Sequence, residues 1–345
     1  MVDVAVVGAS GYGGGELLRW LAMHPDARIA LATSSTYAGR PASAAFPGLA
    51  KRGDLTLVGE SSLQELAECR VVFLARDNGV AMHLAPNLVA AGCKVVDLSA
   101  DFRFRDPAVY AAWYGKHASP NLAASAVYGL PELHRDEIRR AKVVGNPGCF
   151  TTASILALAP LCGDKLIDPG TIIVDAKTGV SGAGRSKFGL DYHFSEANES
   201  VKAYRVAGTH RHTPEIEQEL SALAGSPLQV TFTPHLVPMT RGILATAYAT
   251  LSGGLTADDL RERYRAFYAD APFVYVSDEL PATKHTLGSA MCHIGLAVDA
   301  RMNRVTVFSA LDNLGKGMVG QAIHNMNLMC GFEETAGLEM PGMWP

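Results

Sequence analysis

The sequence predicts an α/β protein: a Rossmann-type, doubly wound parallel sheet followed by an α+β catalytic domain whose sheet is mostly antiparallel. Three observations lead to this fold class. Short apolar runs alternate with helical patterns over the first hundred residues, and a glycine-rich turn joins the first run to the first helix. After residue 149, longer strands follow one another with few helices between them. At about 150 residues per domain, 345 residues suit two domains.

The first domain is predicted to alternate strands and helices. The strands are expected at Val2–Val7, Arg28–Thr33, Val71–Ala75, Lys94–Leu98 and Val143–Gly145. Helical patterns cover Gly11–Ala22, before Pro25, and Val80–Ala91, before Gly92. Because parallel strands need a crossover between them, this alternation predicts a parallel sheet with helices on both faces.

The second domain is predicted to hold one broad sheet. Its strands are expected at Thr171–Lys177, Leu228–Thr233, Gly242–Leu251, Cys292–Val298 and Arg304–Leu311. Helices are expected at Thr151–Leu161, Ala257–Tyr268 and Lys316–Met329, and the Gly/Ser-rich stretch Gly179–Ser186 as a loop inside this domain. The predicted boundaries are 1–148 plus 312–345 for the Rossmann domain and 149–311 for the catalytic domain.

Composition narrows the class of protein. The chain is 48% hydrophobic, with a net charge of −4, so neither a nucleic-acid nor an anionic membrane partner is expected. No apolar run approaches the ~18 residues of a membrane span, and no secretory leader is expected. The six cysteines have no CxxC spacing, so thiols in a reducing cytoplasm, with no metal site, are predicted.

The first motif is the glycine-rich turn between the first strand and the first helix. Glycines there let the backbone approach a pyrophosphate, and the helix N-terminus offers its unpaired N–H groups. The candidate dinucleotide contacts are Gly8, Ser10, Gly11, Tyr12, Gly13 and Gly14. The alternative is a tight strand-to-helix turn that binds nothing.

The end of the second strand bears on the choice of dinucleotide. An acidic residue about twenty positions after the glycines would bind the ribose 2′-hydroxyl of NAD. This chain has Ser34 and Ser35 there, with Arg40 nearby. Hydroxyls and an arginine suit a 2′-phosphate, so NADP is favoured over NAD.

Cys149 is the candidate nucleophile. It follows Gly145-Asn146-Pro147-Gly148 at the start of a predicted helix. There the helix dipole favours the thiolate, which is the nucleophilic form of cysteine. Beside a dinucleotide domain, such a thiol indicates thioester and thiohemiacetal chemistry. The alternative is a small buried hydrophobe.

Two further segments contain candidate polar groups. His210 and His212 flank Arg211 just before a helix start, and either imidazole could transfer protons. Arg103 follows the fourth strand, where ligands of parallel sheets bind. Ordinary surface or core histidines and a loop arginine are the alternatives.

Together these segments resemble the N-acetyl-gamma-glutamyl-phosphate reductase family of arginine biosynthesis, which is similar in plan to the semialdehyde dehydrogenases. The resemblance runs over nearly the whole chain. Its motifs are 10–14, 97–103, Tyr128–Glu132, 146–149, Ser181–Gly184, 210–215 and Asp312–Gly317. Two segments depart from the family pattern: Arg76-Asp77-Asn78 stands where Leu-Pro-His is usual, and Phe150-Thr151-Thr152 where Tyr-Pro-Thr is common.

The resemblance implies a reaction and roles for particular residues. Cys149 would attack an acyl phosphate, NADPH would reduce the thioester, and His212, or else His210, would move the proton. The implied substrate contacts are Arg103 for phosphate, Arg241 for a carboxylate, Asn146 and Glu215. Ser181, Gly182 and Asn313 would lie at the cofactor.

The implied partners are small: an acyl phosphate or semialdehyde, inorganic phosphate, and further copies of the chain in a homodimer or homotetramer. Two rival functions remain open. One is a reductase of the same fold for an aspartyl or aminoadipyl phosphate. The other is a dinucleotide-binding protein without catalysis.

Overall fold

The computed structural model describes residues 1–60, 62–186 and 189–344, which form two compact units. Unit 1 comprises Met1–Pro147, Gly184–Ser186 and Met318–Glu339. Unit 2 comprises the described residues of Gly148–Ala183, Lys187–Gly317 and Met340–Pro345.

Unit 1 contains the predicted parallel sheet. Its strands are β1 (Val2–Val7), β2 (Ala27–Thr33), β3 (Val71–Leu74), β4 (Lys94–Asp97), β5 (Val127–Tyr128) and β6 (Val143–Gly145). They pair in parallel in the order β2-β1-β3-β4-β6-β5. Because β2 and β3 lie on opposite sides of β1, the order reverses there, and ligands of such sheets bind beyond the carboxyl ends of the strands at this point.

The helices of unit 1 connect these strands. They are α1 (Tyr12–Leu21), α2 (Leu63–Ala67), α3 (Ala81–Ala90), α4 (Pro107–Tyr114), α5 (Pro120–Ser125) and α6 (Pro131–Arg140). The last three, with β5, fall between residues 107 and 140, where the sequence analysis assigned no element. Each of the three has proline in its first turn, where the missing N–H costs no helical hydrogen bond.

Unit 2 is built on a mixed sheet of longer strands. They are β7 (Ile167–Thr178), β8 (Lys202–Ala203), β9 (Thr231–Leu236), β10 (Ile243–Leu251), β11 (Val274–Val276), β12 (Cys292–Asp299) and β13 (Arg304–Leu311). Their order is β11-β12-β13-β10-β7-β9-β8. The helices of the unit are α7 (Cys149–Gly163), α8 (Phe194–Ala197), α9 (Thr213–Ala224) and α10 (Ala257–Phe267).

The second sheet is mostly antiparallel, as predicted, but it is not antiparallel throughout. Strands β7 and β9 pair in parallel, as do β11 and β12. Between β7 and β9 the chain passes through α9, and a crossover of this kind returns the chain to the same end of the sheet. These two parallel pairs are the exceptions within the mostly antiparallel sheet.

Helix α7 is the central helix of unit 2 and is buried from Phe150 to Cys162. Its Pro160 has no N–H, so the helix cannot supply the usual donor to the carbonyl of Leu156. The Tyr268 hydroxyl, which follows α10, donates to that carbonyl at 2.6 Å. The helix that begins at Cys149 is thus held rigidly inside the unit.

Helix α11 (Gly320–Cys330) is the predicted closing helix and belongs to unit 1. It is preceded by a π-helical turn, Gly315–Val319, so it starts later than expected. Gln321 and Asn325 both donate side-chain N–H groups to the carbonyl of Gly129, at 2.8 and 2.9 Å. These bonds attach the end of the chain to β5 and α6.

The two units divide the chain differently from the predicted domains at four places, of which the shortest is Gly148, which belongs to unit 2. Residues 312–317 belong to unit 2, where Asp312 accepts the Gly288 N–H at 2.6 Å. The tail from Met340 also belongs to unit 2, where the Met343 N–H donates to the Leu287 carbonyl. Gly184–Ser186 belongs to unit 1, whereas the sequence analysis placed it in the second domain.

None of the described helices is both long and apolar enough to cross a membrane. Within the same residues, no group of three or more His, Cys, Asp or Glu side chains is arranged to hold a metal ion.

Candidate active site

The glycine-rich turn joins β1 to α1. Gly8 has a φ of +93°, and its N–H donates to Thr33 Oγ1 at 3.2 Å. A Cβ on Gly8 would overlap the carbonyl oxygen of Ala75, and one on Gly14 would lie 2.6 Å from the Cα of Ala9. Glycine at these positions lets the turn fold tightly against β3 and against itself.

The start of α1 suits an anion. Gly11 is the N-cap and has no side chain with which to satisfy the first N–H groups of the helix. Tyr12 is the first helical residue and is 38% exposed. Gly13 serves packing, because a Cβ there would lie 2.7 Å from the methyl carbon of Met318.

The end of β2 carries a chain of hydroxyl groups. The Ser34 hydroxyl is buried and donates to the Ser10 hydroxyl at 2.8 Å, and it accepts the Tyr37 N–H at 3.1 Å. Ser35 and Arg40 are exposed. The structure therefore brings the glycine turn and the predicted 2′-phosphate residues together in unit 1.

Arg103 and Asn146 are buried in unit 1. Arg103 Nε donates to the Asn146 carbonyl at 2.7 Å, and its Nη2 donates to the Leu98 carbonyl at 3.1 Å. The Asn146 side-chain amide donates to the Met318 carbonyl at 3.0 Å. These contacts brace the segments that follow β4 and β6, and the substrate contacts expected of both residues stay predictions.

Cys149 is the first residue of α7 and is partly exposed. The turn before it is fixed by Glu215, whose buried Oε1 accepts the Gly148 N–H at 2.9 Å and the Thr151 hydroxyl at 2.8 Å. One carboxylate oxygen thus holds the N-cap and the first turn of the nucleophile's helix.

The His212 side chain lies against the backbone just before Cys149. His212 is the N-cap of α9. A Cβ on Gly148 would lie 2.5 Å from His212 Nε2 and 2.7 Å from its Cε1. Only glycine leaves room for the imidazole here, so the close approach of His212 depends on Gly148. The thiol and the imidazole are thereby placed at the starts of two adjacent helices.

His210 lies deeper than His212. Its ring packs against Phe232, Phe150 and Tyr204, with centroid distances of 5.2, 5.8 and 5.6 Å. Its Nδ1 accepts the His212 N–H at 3.0 Å. Burial, with the nearby His212, lowers the pKa of His210 to about 3. His210 is therefore a neutral support for its neighbour.

Tyr204 is a site residue that the sequence analysis missed. Burial and the negative charge available at Cys149 raise the pKa of its phenol, so it stays protonated at neutral pH. No sequence motif marks this tyrosine, because it reaches the site from a strand end eight positions before His212.

The remaining predicted residues form a second cluster in unit 2. Asn313 accepts the Gly242 N–H at 2.7 Å and donates to the Ser181 hydroxyl at 3.0 Å. Arg241 pairs with the buried Asp312 at 3.0 Å. Gly182, next to Ser181, is exposed. Of the predicted cofactor residues, Ser181, Gly182 and Asn313 belong to unit 2, and Asn313 supports the 181–182 loop there.

Two protein families match this sequence, and solved structures match its fold. The family described as semialdehyde dehydrogenase, NAD binding domain, matches residues 3–141, and the semialdehyde dehydrogenase dimerisation domain matches residues 149–313. Aspartate semialdehyde dehydrogenase II from Vibrio cholerae covers 96% of this chain and 99% of its own, with a TM-score of 0.72 at 16% identity. A Candida albicans aspartate semialdehyde dehydrogenase, solved with NADP, has a TM-score of 0.71 at 16% identity and covers 96% of this chain and 98% of its own. Fold and site therefore define a protein of the semialdehyde dehydrogenase class.

Curated relatives give the particular family. N-acetyl-gamma-glutamyl-phosphate reductase from Symbiobacterium thermophilum is 54% identical over 98% of this chain and 97% of its own length. The reductase of the same name from Geobacter sp. is 51% identical over the full length of both chains. The chain belongs to the N-acetyl-gamma-glutamyl-phosphate reductase family.

Proposed function

We propose that this protein reduces N-acetyl-L-glutamyl 5-phosphate to N-acetyl-L-glutamate 5-semialdehyde and phosphate with NADPH, in arginine biosynthesis. One observation carries the proposal: a partly exposed thiol begins α7, and the imidazole of His212 lies on the glycine just before it. Acyl transfer to sulfur needs this pair, a nucleophile and a group that moves protons.

Cys149 acts as the nucleophile. Its thiolate attacks the carbonyl carbon of the acyl phosphate, so a C–S bond forms and phosphate leaves with the electrons of the C–O bond. The start of α7 stabilises negative charge on the sulfur. After reduction of the thioester, the C–S bond of the thiohemiacetal breaks and the aldehyde leaves with the thiolate restored.

His212 exchanges the proton at the thiohemiacetal oxygen. His212 is preferred to His210 because it is less buried and lies directly on the Gly148 backbone. His210 is buried, and its lowered pKa, about 3, keeps it neutral at the pH of catalysis. We assign Glu215 a positioning role, since its contacts hold the turn before the nucleophile.

The residues of unit 1 fit NADPH. The glycine turn is a cradle that a Cβ would fill at Gly8 and Gly14, and α1 starts without a side-chain cap. Serine hydroxyls stand at the end of β2 with no acidic residue from 33 to 40. When bound, NADPH supplies the hydride that reduces the thioester.

We place the reaction in the cytoplasm and assign the assembly to a homo-oligomer. The match of residues 149–313 to the semialdehyde dehydrogenase dimerisation domain supports self-association. The predicted phosphate contact of Arg103 and the predicted carboxylate contact of Arg241 belong to this proposal.

The reverse reaction tests the function. NADP⁺ reduction is measured with and without phosphate, using the semialdehydes of N-acetylglutamate, aspartate and aminoadipate as substrates. Strictly phosphate-dependent turnover with a clear preference for the N-acetylglutamate compound is expected. Preference for another semialdehyde would identify that compound as the substrate. Nucleotide binding without turnover of any of the three would indicate a dinucleotide-binding protein without catalysis.

A further inference from the structure

Arg185 belongs to unit 1 although it lies far along the chain from the glycine turn. Its Nη1 donates to the carbonyl oxygen of Ser10 at 3.1 Å, and its Nη2 donates to the Tyr37 hydroxyl at 3.4 Å. The guanidinium carbon lies 4.6 Å from the centroid of the Phe46 ring. Arg185 therefore lies between the glycine-rich turn and the segment that follows β2.

Phe46 holds this guanidinium in place. The Phe46 ring covers Gly15 of α1, where a Cβ would lie 2.5 Å from two ring carbons. An aromatic ring wedged in this way is a fixed surface on which an arginine can stack. The conformation of Arg185 is thus set before any ligand binds, so little further entropy is lost on binding.

The positive charge at this point is not balanced by the protein. The guanidinium carbons of Arg40 and Arg185 lie 5.4 and 5.6 Å from the centroid of the Tyr37 ring, so one ring has two guanidinium neighbours. Throughout residues 1–60, 62–186 and 189–344, neither arginine pairs with a carboxylate. Two cations at one aromatic ring, in a chain of net charge −4, form a local positive charge that would attract an anion.

The neighbouring groups indicate which anion belongs there. Ser10 and Ser34 share a hydroxyl hydrogen bond beside Arg185. In this fold the end of the second strand faces the adenosine ribose. A phosphate dianion there would accept from hydroxyls and from a planar guanidinium fork, a pairing that arginine forms better than lysine.

We propose that Arg185 selects NADPH over NADH by binding the 2′-phosphate, together with Arg40 and the Ser34 hydroxyl. The proposal rests on the proposed function for the identity of its cofactor. It assigns the nucleotide preference in part to a residue about 150 positions beyond β2, outside every motif of the dinucleotide fold.

Binding measurements without turnover test the assignment. Isothermal titration gives the dissociation constants of NADPH, NADH, 2′,5′-ADP and 5′-AMP for the full chain and for Arg185→Gln. Loss of one charge-assisted phosphate contact predicts a 10- to 100-fold rise for NADPH and 2′,5′-ADP. The constants for NADH and 5′-AMP should change less than 3-fold, and Arg185→Lys should fall between.

Arg52→Gln is the matched control, since it removes one exposed positive charge from unit 1 outside the cluster. It should leave all four dissociation constants within 2-fold. The assignment would be overturned if Arg185→Gln lost affinity equally for the nucleotides with and without a 2′-phosphate. It would also be overturned if the variant lost affinity for neither. A wild-type chain that binds NADPH and NADH equally would instead refute the cofactor of the proposed function, so the two failures are distinguishable.

Discussion

Gly148→Ala is expected to disable catalysis without unfolding the protein. The new Cβ would lie 2.5 Å from His212 Nε2, whereas carbon makes ordinary contacts at about 3.5 Å, so the imidazole must move by about 1 Å. Displacement of a catalytic group by that distance costs about 10²-fold in rate. Because Gly148 has φ −68° and ψ 151°, alanine brings no backbone strain, and Tm should change little.

The assay is kcat/KM for phosphate-dependent NADP⁺ reduction, with thermal unfolding measured in parallel. Gly253→Ala is the control, because a Cβ there meets nothing within 4 Å. The double variant Gly148→Ala/His212→Asn tests whether the loss acts through the imidazole. In the His212→Asn background, Gly148→Ala should lower kcat/KM by less than 3-fold. Activity within 3-fold of wild type in the single variant, or full additivity in the double variant, would refute the argument.

Three further outcomes are expected. Cys149→Ser should bind NADPH normally yet lose nearly all turnover. In the wild-type protein, mass spectrometry should show that iodoacetamide labels Cys149 before Cys69 and Cys162, because burial raises the thiol pKa values of those two residues to about 11 and 12. If Arg103 binds phosphate, Arg103→Lys must raise the KM for phosphate more than the KM for the aldehyde. An unchanged ratio of the two KM values would assign Arg103 a purely structural role. Because the pKa of His210 falls from 6.5 unfolded to about 3 folded, the unfolded state binds the extra proton, and stability is lost as pH drops below 6.5. Urea unfolding between pH 6 and 4 should show that the free energy of unfolding falls less steeply with decreasing pH in His210→Gln than in wild type, by about 1.4 kcal/mol per pH unit.

The elements with a local cause could be predicted from the sequence. The glycine turn and the start of α7 depend on residues adjacent in the chain. The turn lies where the pattern placed it, and α7, predicted from Thr151, starts two residues earlier at Cys149. Strands β6 and β13 match the predicted bounds because valine-rich runs end at glycine or polar residues. The ends of the other elements agree with the prediction or differ from it by one to four residues, since tertiary packing decides where a helix or strand stops.

The contacts that complete the site could not be predicted, because they join residues far apart in the chain. Gly148 and His212 meet through the packing of α7 on α9, and Glu215 reaches the same turn from one helical turn further on. The burial of Arg103 between two carbonyls is likewise a tertiary result. A sequence pattern shows which residue types are present, but not which of their polar atoms the fold has already used.

The attachment of α11 to Gly129 has a consequence for synthesis on the ribosome. The carbonyl of Gly129 accepts hydrogen bonds from Gln321 and Asn325, so unit 1 is not complete when its first 147 residues emerge. Residues 148–317 must be made first, which takes roughly 10–30 s at about 5–20 residues per second. Unit 2 is contiguous over most of its length and lacks only its Met340–Pro345 tail at that stage. The nascent nucleotide-binding unit therefore waits as an incomplete intermediate, exposed to chaperones and proteases, until the last thirty or so residues of the chain arrive.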